Sequence, residues 1–99
     1  MSEKVSAEAE ISLSVRAPKR YQVILHNDHY STWEFVIAVL ESVFRKSKSE
    51  AEYITSHVHH KGFGVCGVFA YEIAEMKVLQ VQTMAKQHKY PLKCTMQEI

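Results

Sequence analysis

Cysteine is scarce in this chain, with 2 in 99 residues, too few for the disulfide framework of a small secreted domain. Cys66 and Cys94 fall inside strand-like apolar runs, where a reduced thiol acts as a small hydrophobe. An excess of one charge is lacking too: 12 Lys and Arg against 11 Asp and Glu leave a formal net charge of +1. That balance supplies no field to gather nucleic acid or anionic membrane. The short basic clusters Arg16, Lys19, Arg20 and Arg45, Lys46, Lys48 read as solvated faces. No apolar run approaches the ~20 residues that span a bilayer. Nor does the N-terminus, MSEKVSAEAE, have the apolar stretch of a secretion signal. A cytoplasmic monomer with no nucleic-acid or membrane partner is expected. No Cys-x-x-Cys or His-Glu-x-x-His motif occurs, and His57, His59 and His60 lack i, i+4 spacing, so neither a metal site nor another cofactor is expected.

What is present is 46% apolar residues, enough for one compact domain with a single core. Ala7, Ala9, Ile11, Leu13 and Val15 alternate with polar residues. That is a strand period, yet residues 1–17 lack glycine and aromatics and read first as a flexible N-terminal arm, with 7–15 as a possible strand. The domain proper is expected over 18–99. Tyr21 to Leu25 reads as a strand broken by Asn27-Asp28. Ser31 with Glu34 forms a capping box, and Val36, Val39, Leu40 and Val43 carry a helix to about Lys46. Ser49 with Glu52 repeats the signal for a second helix through Ala51, Ile54, Thr55 and Val58, stopped by Gly62. Val65 to Tyr71 reads as a strand, with Gly67 allowing close packing. A third helix is expected from Glu72 to Lys89, its end charges complementing the macrodipole, before Pro91 and a last strand carrying Leu92, Cys94 and Met96. The order β-α-α-β-α-β implies an α+β domain, a small antiparallel three-stranded sheet covered by three helices.

Asn27 and Asp28 at a strand end, and His59 at a helix end, offer acceptors for a small cationic group beside apolar positions. Taken alone, Asn27-Asp28 reads first as an Asx turn, and His59 as a histidine favoured by the helix dipole. An enzyme would need Cys66 as nucleophile with His59 and Asp28. An apolar CGVF strand raises a thiol's pKa, so no enzymatic activity is expected.

The segments VILHND, EFVI, VHHKG, CGVF, AE followed by MKV, and PLKCT stand in register from about Lys19 to Thr95. With these the chain resembles the ClpS family, adaptors that bring proteins with a destabilising N-terminal residue to a Clp AAA+ unfoldase and its protease. The resemblance implies the same α+β layout. It also implies α-amino binding by Asn27, Asp28 and His59, and a hydrophobic pocket walled by Ser31, Trp33, Val36, Thr55, Val58 and Leu92. Glu72 and Lys77 match residues that face the N-terminal domain of the unfoldase; by themselves they read as solvated charges. The chain departs from the family at His29, where a second acid is usual, and at Trp33 and Thr55, where methionine is common. A reshaped pocket is expected. The scaffold also resembles the C-terminal domain of the ribosomal stalk protein, an interaction module with no pocket for a chain end.

Overall fold

The computed structural model describes residues 19–99; the possible strand over 7–15 lies outside the described residues. Three strands, β1 (Arg20–His26), β2 (Phe63–Ala70) and β3 (Lys93–Glu98), alternate with helices α1 (Trp33–Ser42), α2 (Lys48–Lys61) and α3 (Tyr71–Gln87). The sheet is antiparallel in the order β2-β1-β3, so the expected α+β architecture is the observed one.

Alternation along β1 decides the layers. Val23 and Leu25 point to the helices and are fully buried, with Cys66 of β2 and Cys94 of β3 beside them. Between Val23 and Ile24 the register on β2 steps from Gly67 to Val65. Cys66 is therefore the extra residue of a β-bulge, which turns its thiol inward. The opposite face stays open, with Phe63, Val65 and Val68 exposed. α3 lies across all three strands, while α2 packs on β2 and on α1. Phe35, Val36, Val39 and Leu40 of α1 and Ala51 and Val58 of α2 complete one core.

Several element ends differ from the sequence expectation. Thr32, not Ser31, caps α1 by accepting the Phe35 N–H at 3.1 Å. The Ser31 N–H is held in the preceding turn by Asp28, so the helix starts one residue later. The capping box of α2 is Ser47 with Glu50 rather than Ser49 with Glu52, because the chain is already helical at Lys48. α1 ends at Ser42, short of Lys46; Arg45 takes a left-handed φ of 53°. There is no basic residue in the last turn of α1. Instead Lys77 of α3 reaches across and donates from Nζ to the Val43 carbonyl at 2.6 Å. At the end of α3, Lys89 adopts φ 61° and Tyr90 N–H bonds the Ala85 carbonyl at 2.8 Å. This Schellman-type closure ends the helix before Pro91 is reached.

Two glycines mark close approaches. A Cβ on Gly64 would lie 2.7 Å from Val58 Cγ2, so β2 seats against α2 only with glycine there. At Gly67 the neighbour is the Phe69 ring, at 2.7 Å, which lies back over its own strand.

Candidate functional site

The end of β1 and the end of α2 are brought together by chain order. His26 pairs with Phe63, the first residue of β2, and only Gly62 separates β2 from α2. Gly62 is the helix stop expected from sequence: its φ is 91° and its N–H donates to the Val58 carbonyl at 2.9 Å. The Gly62 carbonyl in turn accepts the Asn27 N–H at 2.9 Å. One backbone bond thus fastens Asn27 beside the last turn of α2, where His59 sits.

Asp28 shapes the loop that follows. Its Oδ1 accepts the N–H groups of Tyr30 and Ser31, both at 2.7 Å. Burial alone would push the carboxyl up. The Ser31 N–H bond, the Ser31 hydroxyl close by, the Tyr30 N–H bond and His29 nearby outweigh it and hold the group below the usual carboxylate value of 3.8, although the hydroxyl falls short of hydrogen-bond geometry. Asp28 is therefore ionised at neutral pH. Its other oxygen, Oδ2, and the Ser31 hydroxyl are buried without a partner. Such an unpaired atom costs about 1–3 kcal/mol, a cost that a ligand supplying donors there removes.

These elements enclose a cavity of about 390 Å³ lined by Asn27, Asp28, His29, Ser31, Trp33, Val36, Thr55, Val58 and His59. The size lies at the small end of ligand sites, which run from about 300 to 1,000 Å³. The structure brings Asn27, Asp28 and His59 together and sets Ser31, Trp33, Val36, Thr55 and Val58 around the same space. Leu92 is 5% exposed and packs in the core that also holds Val36 and Val58, but unlike them it is not part of the cavity lining. His29, noted in sequence only as a departure, lines the cavity directly.

The last turns of α2 carry three histidines in different circumstances. His57 Nδ1–H donates to the Phe63 carbonyl at 2.9 Å, and His60 Nδ1–H to the Ser56 carbonyl at 2.7 Å. A carbonyl only accepts, so those bonds place the Nδ1 proton. The His59 ring has no hydrogen-bond partner among the described residues. It meets the Trp33 indole edge-on, with centroids 6.2 Å apart and planes at 70°, and the His60 ring at 5.4 Å and 89°.

Glu72 and Lys77 lie on α3. Glu72 is exposed, whereas Lys77 is partly buried, holds the Val43 carbonyl and lies 5.8 Å over the Phe69 ring. Sequence reasoning missed this latch, because Arg45 and Lys46 stand at the helix end expected from sequence and only the earlier stop at Ser42 leaves that end without a cation. Cys66 is 1% exposed. Burial, with Cys94 nearby, pushes its thiol far up, and burial pushes Cys94 up to about 12. Neither thiol is a nucleophile at neutral pH. Among the described residues no cluster of three or more His, Cys, Asp or Glu is placed to hold a metal, and no helix is long and apolar enough to cross a membrane.

Fold and cavity together define a small α+β domain whose cavity sets hydrogen-bond acceptors beside apolar side chains. The chain belongs to the ClpS family: the family model described as ATP-dependent Clp protease adaptor protein ClpS matches residues 16–95. The ATP-dependent Clp protease adapter protein ClpS of Syntrophus aciditrophicus is 51% identical over 85 residues, 86% of this chain and 79% of the relative. That of Oleidesulfovibrio alaskensis is 42% identical over 99 residues, 100% of this chain and 95% of the relative. Among solved structures, Agrobacterium tumefaciens ClpS2 bound to L-phenylalaninamide superposes with a TM-score of 0.81 at 35% identity, covering 83% of this chain and 99% of that one. The chain is therefore a member of a family of Clp protease adaptors, not a protease family.

Proposed function

We propose that this protein binds the free N-terminal residue of polypeptides and delivers those carrying a destabilising first residue to a Clp AAA+ unfoldase. One observation carries the reading: Asn27, Asp28 and His59 line the same cavity as Val36, Val58 and Trp33. An α-ammonium has three N–H donors and a positive charge. Its partners here are an amide oxygen, an ionised carboxylate and an imidazole lone pair. The adjoining side chain is favoured by apolar burial at ~25 cal/mol per Å². An internal amide has neither the charge nor the donor set, so it leaves acceptors unpaired and is rejected. The ligand in the solved ClpS2 structure, L-phenylalaninamide, joins a free amine to an aromatic side chain, the two groups this cavity suits.

His29, Trp33 and Thr55 give the slot its own shape and charge. His29 adds no negative charge where the family commonly has an acid. Trp33 sets a rigid indole on one wall. Thr55 brings a short side chain whose hydroxyl already donates to the Ala51 carbonyl at 2.7 Å and so needs no ligand partner. Delivery uses α3, with exposed Glu72 as contact to the N-terminal domain of the unfoldase and Lys77 beside it.

Fluorescence polarisation with peptides that differ only in their first residue, each with an N-acetylated twin, tests the proposal. Acetylation is expected to weaken binding by at least about 2 kcal/mol, the loss of charge-assisted bonds. Equal affinity for free and acetylated peptides would sink it.

A further inference from the structure

We propose that Trp33 is a positioning residue for His59: its indole holds the imidazole toward the cavity, so that recognition of the first side chain and of the α-amino group act as one unit. The inference rests on the cavity being the amino-terminus site.

The contrast among the three histidines carries it. His57 and His60 are tied by their Nδ1–H groups to backbone carbonyls, which fixes their rings and removes a nitrogen from ligand use. Their Nε2 keeps a lone pair, but neither ring lines the cavity, whereas His59 does. An untied ring on an exposed residue, however, loses rotamer freedom when a ligand fixes it. For His59, which no hydrogen bond ties among the described residues, aromatic neighbours limit that loss. Its ring meets the Trp33 indole at 6.2 Å and the His60 ring at 5.4 Å, and His60 is itself anchored to the Ser56 carbonyl. Edge-to-face aromatic contact orients a ring without taking up its nitrogens.

The backbone of Trp33 is set by the start of a helix, and the residue is 42% exposed. It opens α1, directly after the Thr32 cap, and its indole lines the cavity. A first side chain entering the slot touches the same indole that aligns His59. Asp28 and His29 face the same cavity, and the ring contacts of His59 among the described residues are with Trp33 and His60.

The test compares wild type, Trp33→Phe and Trp33→Leu on a peptide with a free N-terminal phenylalanine and on its N-acetylated twin. Histidine ring-proton NMR is recorded on the unliganded proteins, with His59 assigned by its loss in His59→Gln. Trp33→Leu is expected to lower the free-to-acetylated affinity ratio about tenfold, the upper range of an aromatic pair. Its His59 ring signals should move as the indole ring current disappears. Trp33→Phe should keep most of the ratio. A ratio in Trp33→Leu equal to wild type overturns the proposal and leaves the amino-terminus reading standing. A fall in the ratio with His59 signals unmoved assigns the loss to pocket shape and also overturns it. If wild type binds both peptides equally, the amino-terminus reading fails and this inference with it.

Discussion

At Asp28 the two carboxylate oxygens are in different situations. Oδ1 holds the loop through the Tyr30 and Ser31 N–H groups, while Oδ2 is buried without a partner. Asp28→Asn keeps an oxygen for the loop and removes the charge. It is expected to leave stability within about 0.5 kcal/mol while weakening free-amine peptides by about 1.5–3 kcal/mol. Asp28→Ala loses both functions and should also destabilise the fold by about 1–3 kcal/mol. Urea unfolding beside peptide titration separates the two variants. The folded carboxyl lies below its usual value of 3.8. Its contribution to stability is therefore complete above that value and is lost as pH falls below it through the lower folded pKa. Wild type should show this acid limb in unfolding midpoints measured down to about pH 2.5, and Asp28→Asn should lack it. A limb of equal size in both proteins would assign it to other carboxylates.

Helices in this chain begin where a side chain is free to cap them, and this separates one Ser from another. Ser47 accepts the Glu50 N–H at 3.2 Å and is outside the helix, whereas Ser49 is already within α2. Ser47→Ala should cost about 0.5–2 kcal/mol and Ser49→Ala a few tenths at most; similar midpoints in urea for the two variants would contradict this assignment. Both S-x-x-E registers satisfy the same sequence rule. What decided between them was where the chain leaves α1, which Arg45 and the Lys77 latch set. The Gly62 stop was legible because a left-handed C-cap needs glycine locally. The seat of Gly64 against Val58 was not, since it involves the approach of one element to another.

For the whole molecule, the two charged residues of α3 differ in what they hold together. Lys77 joins α3 to the end of α1, so Lys77→Ala should lower the unfolding midpoint and weaken an isolated Clp N-terminal domain together. Glu72 is exposed; Glu72→Ala should weaken only the Clp domain and leave stability and peptide affinity unchanged. Parallel titrations and thermal melts check this, and a Glu72→Ala protein that binds the Clp domain like wild type would remove α3 from the partner surface.

The sequence by itself determined the elements and their order, the inward faces of β1, α1 and α2, the stop at Gly62 and the burial of both cysteines. Each follows from local periodicity or from a backbone preference carried by one residue. The tertiary structure alone decided what meets what. The β2-β1-β3 order sets the end of β1 against the end of α2, and the Asn27–Gly62 bond then places Asn27 and Asp28 beside His59. It sent Leu92 into the core instead of the cavity wall and turned Lys77 to Val43. It also packed Trp33 on the His59 imidazole. Periodicity records which face of a segment avoids water; which apolar faces close on each other, and what space they leave, depends on side-chain volumes brought together from distant parts of the chain.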